Sequence, residues 1–213
     1  MSTARLIASA RVAAAALIAA EDRIEGLDRA IGDGDHFHNM KRGAETVLAL
    51  AADVADAPAS VALKAIAMKL MTTIGGASGP LTSSFFLAAS RTPGVDDEWT
   101  PQVVAALVAD GVAAIVKRGG AGLGDKTMVD VLIPVSRTLS ECAAAGADRA
   151  ETLARVAAAA EQGMLSTRDM RAAKGRAAFL GERAVGHIDP GAMSCFVMIA
   201  AICAALGSEG GTL

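Results

Sequence analysis

Ala4-Arg-Leu-Ile-Ala-Ser-Ala-Arg-Val-Ala-Ala-Ala-Ala-Leu-Ile-Ala-Ala20 is the stretch that decides the fold. It is apolar, carries two arginines and has no acidic residue, the pattern of a secretory or transit leader. Its spacing points elsewhere. Leu6, Ile7, Ala10, Ala14, Leu17 and Ile18 recur at helical intervals, and Glu21-Asp22 follow at once. The stretch therefore reads as the first helix of a packed domain. The rest of the chain shares its composition: 49 of 213 residues are alanine, and only 3% are aromatic, with five Phe, one Trp and no Tyr. Sheet cores draw on β-branched and aromatic side chains, whereas alanine favours helices packed closely through small groups. The expected class is all-α.

The same figures exclude several functions. A mean hydropathy of +0.41 with 20% charged residues supplies enough apolar surface to fold, which removes intrinsic disorder. Cys142, Cys195 and Cys203 show no C-x-x-C spacing and read as reduced core thiols of a cytoplasmic protein. Met193–Leu206, the most apolar later run, falls short of the roughly 20 residues that span a bilayer, so no membrane is expected. A net charge of -3 and a pI near 5.6 give no general attraction to nucleic acid. Any anionic ligand must meet a local positive site. The length suits one domain over 1–213.

Helical periodicity and its punctuation give about eight segments, near 3–24, 36–53, 60–73, 79–90, 101–117, 127–145, 148–173 with a break at Gly163, and 189–206. Thr100-Pro101 and Asp148 read as helix starts. No Ser/Pro-rich linker, repeat or alternating strand pattern interrupts them. The economical solution is a single antiparallel barrel or bundle of about eight helices. Glycine clusters with charge in four interhelical loops, 26–35, 74–80, 119–127 and 181–191. Loops of a helical bundle gather at its ends, so these four can build one site.

The first loop, Asp28-Arg-Ala-Ile-Gly-Asp33-Gly-Asp35-His36, spaces three carboxylates as D-x4-D-x-D. Three carboxylates held together repel unless a cation neutralises them, and oxygen ligands suit Mg²⁺ before Zn²⁺. An EF-hand fails on position, since Phe37, His38 and Ala44 stand where its acidic or amide ligand, its glycine and its glutamate are needed. Zinc held by His36 and His38, and turn or cap roles for Asp33 and Asp35, stay open. The second loop, Gly75-Gly-Ala-Ser-Gly-Pro80, opens a helix with exposed backbone N–H groups, an anion site or a tight connection. The third, Gly119-Gly-Ala-Gly-Leu-Gly-Asp-Lys126-Thr-Met128, does the same and adds Lys126, read as an anion ligand or as a solvated charge. The stretch 168–183 holds five cations (Arg168, Arg171, Lys174, Arg176, Arg183) against Asp169 and Glu182, and guanidinium groups suit phosphate oxygens. Metal, backbone N–H and Arg together are the means of holding a polyphosphate for transfer, so the residues alone read as a Mg-nucleotide binder.

Asp28-x4-Asp33-Gly-Asp35-His36, Asn39-Met40, Gly75-Gly-Ala-Ser-Gly79-Pro-Leu, Gly124-Asp-Lys-Thr-Met128, Lys174-Gly-Arg-Ala, Leu180-Gly-Glu-Arg and Gly186-His-Ile-Asp-Pro-Gly191, in unbroken order, resemble the L subunits (DhaL) of dihydroxyacetone kinases. The resemblance implies an eight-helix antiparallel barrel with ADP or ATP at one end. It implies two Mg²⁺ ions on Asp28, Asp33 and Asp35, and these three with Arg176 as the catalytic set. His36, Phe37, His38 and Asn39 would meet the nucleotide, as would Gly76, Ala77 and Ser78 at its phosphates. Gly119, Thr127 and Met128 would line the ribose and adenine, and Arg176 with Asp189, Pro190 and Gly191 would close the pocket. The site motifs contain no Tyr or Trp to stack on adenine, so Met128 must serve. The family implies a separate K subunit that holds dihydroxyacetone and a phosphohistidine subunit of the phosphotransferase system that recharges ADP in place. It leaves room for a homodimer. Two departures, Phe37-His38 after Asp35-His36 and Thr82 after Gly-Pro-Leu, bear on the partner-facing rim or on the sugar served. They keep open an ATP-dependent kinase for another short ketose such as a tetrulose, beside a lipid-binding or regulatory helical module.

Overall fold

Nine α-helices and short 3-10 turns make up the described residues, 2–208, of this computed structural model; no strand occurs among them. The chain runs α1 (Ser2–Ala19), α2 (Glu21–Ile31), α3 (His36–Leu50), α4 (Ala59–Thr73), α5 (Ser78–Ala89), α6 (Pro101–Gly119), α7 (Val129–Ala145), α8 (Arg149–Ser166) and α9 (Pro190–Ser208). Eight of them close a ring. Each of α3 to α9 packs on the next, α9 returns to α1 and α1 meets α3, while α2 lies outside the ring against α3, α9 and residues 176–184. The all-α class and the eight-helix barrel expected from the sequence are what the chain forms.

The starts follow local chemistry. Thr100 accepts from the Val103 N–H with Pro101 at the first helical position, and Asp148 accepts from the Glu151 N–H at 2.8 Å. The segment expected at 3–24 is two helices instead, bent by 64° at Ala20. Glu21 and Asp22 then sit in the first turn of α2, where the helix dipole favours acids. The break expected at Gly163 does not exist. That glycine lies against α7 so closely that a Cβ would come within 2.3 Å of the Asp130 carbonyl oxygen, and α8 runs on unbroken to Ser166.

The expected 148–173 helix stops early because the Lys126 ammonium takes the Thr167 and Arg168 carbonyls. A 3-10 turn follows over Thr167–Asp169, and two more turns over Arg176–Ala184 meet at Gly181. The last helix is 19 residues and, at a mean hydropathy of 2.0, long and apolar enough to cross a membrane, more than the 14-residue run suggested. Here it is a stave of the barrel between α8 and α1.

The principal core joins Leu17, Ile24, Phe37, Val131, Val135, Met164 and Met193, so it holds α1, α2, α3, α7, α8 and α9 together at one side of the ring. A second cluster, Ala59, Leu63, Ala89, Val95 and Leu107, joins α4, α5 and α6. All three cysteines are buried, and burial pushes the Cys195 thiol up to about 12 and the Cys203 thiol up to about 11. They pack as apolar groups.

Candidate functional site

The four glycine loops converge. Arg176 Nε reaches Asp33 Oδ2 at 2.8 Å, Asn39 lies against Gly75, Gly119 against Leu81 of α5, and Met128 against Gly191. Residues separated by most of the chain thereby meet at one mouth of the barrel. Asp28 comes from the last turn of α2, Asp33 and Asp35 from the bend before α3, and one ligand oxygen from each lies within 4.8 Å of the others. The bend is tight around Asp28. Its Oδ2 accepts the His36 N–H at 3.0 Å, its main-chain carbonyl accepts the Gly32 N–H, and a Cβ at position 32 would stand 1.9 Å from its Oδ1. Only glycine leaves that carboxylate where it is.

Asp28 is buried, whereas Asp33 and Asp35 open toward solvent. Three acids sharing so small a volume need more positive charge than Arg176 alone provides, and an all-oxygen set suits a hard divalent cation. The donor set fits Mg²⁺. Zinc fits poorly, because His36 Nε2 is held 2.8 Å from Ser194 Oγ and exposed His38 turns to Glu25 at 3.6 Å. Ser194 itself donates to the Pro190 carbonyl, so its oxygen receives the His36 Nε2 proton. Burial lowers the His36 pKa although Asp28, Asp35 and Asp33 pull it up, which keeps this imidazole neutral beside three acids.

The remaining pieces are helix starts. Gly76 and Ala77 lead into α5 at Ser78, with Gly76 in the left-handed region. Asp189 begins α9: its Oδ2 accepts the Ala192 N–H at 2.7 Å and its own N–H donates to Thr167 Oγ1. Burial lifts the Asp189 carboxyl to about 7 against the pull of the Ala192 N–H and of Lys126. Thr127 stands just before α7, its Oγ1 accepting the Val129 N–H at 3.3 Å, and Asp130 accepts the Thr127 and Gly124 N–H groups.

Of the residues singled out in the sequence, Asp28, Asp33, Asp35, His36, Asn39, Gly76, Ala77, Ser78, Gly119, Thr127, Met128, Asp189, Pro190 and Gly191 lie on the four converging loops or the helix starts they lead into, and Arg176 joins them from the 3-10 turns before the fourth loop. Phe37 and His38 do not join them. Phe37 is 1% exposed inside the principal core, and exposed His38 turns to Glu25 of α2. Thr82 likewise bonds back to the Ser78 and Gly79 carbonyls of its own helix. Lys126, read as an anion ligand or solvated charge, is neither: it is 1% exposed and spends its donors on carbonyls. Asp130 and Ser194 went unremarked. Thr127-x-x-Asp130 is a capping-box spacing that signals the first; nothing in the sequence signals the second.

With this geometry in view, likeness to known proteins is informative. Residues 30–204 match the DAK2 domain family. The chain is 44% identical over 170 residues to the ADP-binding DhaL subunit of a PTS-dependent dihydroxyacetone kinase of Lactococcus lactis, covering 79% of each chain. It is 39% identical over 176 residues to the DhaL subunit of the PEP-dependent dihydroxyacetone kinase of Escherichia coli, covering 83% of this chain and 84% of that one. In structure it resembles the dihydroxyacetone kinase of C. freundii, solved with AMP-PNP and Mg²⁺, with a TM-score of 0.73 and 27% identity. That likeness covers 93% of this chain but only 33% of the kinase. The chain belongs to the DAK2 domain family, among the DhaL subunits of dihydroxyacetone kinases.

Proposed function

We propose that this chain holds a magnesium nucleotide at the mouth of its barrel and passes the terminal phosphoryl group to dihydroxyacetone carried by a separate subunit. The observation that carries the reading is the trio Asp28, Asp33 and Asp35, held within 4.8 Å, with Arg176 on Asp33. Bound Mg²⁺, two ions in this reading, supplies the positive charge that offsets the phosphates and the transferring group. The protein's share is placement. Asp28 is fixed from behind by the His36 N–H and by the absence of a Cβ at Gly32, so the trio is organised before any ligand arrives.

Arg176 is 72% exposed at its side chain and swings from Asp33 to a phosphate oxygen with little desolvation to overcome. The N–H groups at Gly76, Ala77 and Ser78 face phosphate with the positive end of α5, whereas those at the start of α9 are spent on Asp189. Neutral His36 and Asn39 line the same floor without adding charge. Gly119, Thr127 and Met128 take the ribose and adenine, with Met128 standing in for an aromatic stack.

Phe179 is 86% exposed three residues beyond Arg176, in a stretch that also carries exposed Arg171, Lys174 and Arg183. An exposed aromatic in a cation-rich stretch is a docking feature, and a chain that holds only the donor needs its acceptor brought to it. The partners in this reading are the ketose-holding K subunit and a phosphohistidine subunit of the phosphotransferase system, all in the cytoplasm, with residues 1–213 acting as one nucleotide-binding domain.

The test mixes the purified chain with a K subunit and dihydroxyacetone. Phosphoenolpyruvate with the phosphotransferase proteins should drive many turnovers on one equivalent of ADP. Turnover with ATP alone would assign the direct ATP-dependent route, and erythrulose in place of dihydroxyacetone checks the acceptor. No transfer under either donor contradicts the proposal.

A further inference from the structure

Lys126 sits in the third glycine loop at φ +59°, the one non-glycine residue among those described with a positive φ, a conformation unfavourable for any L-residue with a Cβ. Its ammonium is buried. Nζ donates to the Thr167 carbonyl at 2.5 Å and the His187 carbonyl at 2.5 Å, with the Arg168 carbonyl at 3.4 Å. Three carbonyls match the three donors of a lysine. Two of the three lie at the C-terminal end of α8, where a cation is favoured by the helix dipole, and Asp189 and Asp169 add to that attraction.

The two sides of this clamp are the two ends of one loop. Residues 168–187 leave α8 and return to α9, and Arg176 lies near the middle. Two further bonds fasten the same base: the Gly186 N–H donates to the Arg168 carbonyl at 2.8 Å, and the Ala173 N–H to the Asp125 carbonyl beside Lys126. At the far end, Arg176 reaches Asp33. We infer that Lys126 is a positioning residue: by tying both ends of the 168–187 loop to the third glycine loop, it holds Arg176 over the carboxylate trio. This rests on the kinase reading for Arg176 but not on which ketose or donor is used.

A double-mutant cycle tests it, with Mg-ADP affinity read by calorimetry on Lys126→Met, Arg176→Ala and the double variant. Lys126→Met should weaken binding about tenfold to a hundredfold, as loss of a supporting residue does. The double variant should be no weaker than the poorer single variant, because Lys126 acts through Arg176. Unchanged affinity in Lys126→Met, or losses that multiply, overturns the inference; a residue that only stabilised the fold would give losses that multiply.

Hydrogen exchange on the wild type without nucleotide stands independently of whether Lys126→Met folds. The Gly186 and Ala173 amides should be protected, and exchange at the rate of open-loop amides overturns the clamp. If the wild type fails to bind Mg-ADP, the kinase reading falls while the exchange result still decides the clamp.

Discussion

In the wall of the barrel, Gly163 brings α8 against α7 with no room for a methyl group, since a Cβ would stand 2.3 Å from the Asp130 carbonyl oxygen. At the mouth, Gly175 has nothing within 4 Å of where its Cβ would be, and its φ of +69° turns the chain into Arg176. One glycine serves contact between elements, the other the shape of a loop. The wall is alanine and close packing; the mouth is charge on a bent backbone. Most of the chain keeps eight staves in register, and the proposed phosphate chemistry is confined to the loops and helix ends of the mouth.

Substitutions at the mouth should therefore alter binding with the barrel intact, and those in the wall the reverse. The largest effect expected is at Asp33. Asp33→Ala removes one of the three carboxylates proposed to face the metal and the partner of Arg176, and should lower Mg-ADP affinity roughly a hundredfold while leaving the melting temperature within a few degrees. A normal affinity in that variant would remove the trio from the site. Next comes the wall: Gly163→Ala should cost about 1–3 kcal/mol, seen as an earlier denaturant midpoint, because the atom it meets is backbone and cannot turn aside. Gly175→Ala, strained only in its own dihedral, should cost about 1 kcal/mol and show more in ADP affinity than in unfolding. Equal destabilisation by the two glycine substitutions would erase the distinction.

A smaller effect is expected at the rim. Phe179→Ala should raise the KM for the ketose-holding subunit several-fold with ADP affinity unchanged, and steady-state titration of that subunit measures it. A separate effect concerns pH. The folded chain holds the Asp189 proton up to about 7, while an unfolded aspartate releases it near 3.8, so the folded state binds the extra proton between those values. The stability contributed by that proton is present below about 3.8 and lost as pH rises through 7. Melting curves of the wild type should therefore decline relative to Asp189→Asn over that window, and parallel curves would show that the carboxyl titrates normally.

The division between wall and mouth also governs what the sequence discloses. Helices of the wall are legible because their faces repeat along the chain, as Leu6, Ala10, Ala14 and Leu17 do, and because Thr100-Pro101 and Asp148 mark their starts. The carboxylate trio is legible because its members are near neighbours in sequence. What escapes are features set by contact across the fold. Gly163 looks like a helix breaker until α7 is seen beside it, and the end of α8 at Ser166 depends on Lys126 forty residues earlier in the chain. The bend at Ala20 interrupts a helical pattern with no glycine or proline to announce it. Phe37, next to the site residue His36 in sequence, turns into the core because successive helical side chains point about 100° apart.

The central claim is that three carboxylates at the barrel mouth hold a nucleotide through magnesium. The most direct measurement is calorimetric titration of the wild-type chain with ADP, first with Mg²⁺ and then with the metal chelated. Tight, saturable binding with Mg²⁺ that weakens by at least an order of magnitude on chelation is the predicted result. Equal affinity in both conditions, or no binding with Mg²⁺ present, would contradict it.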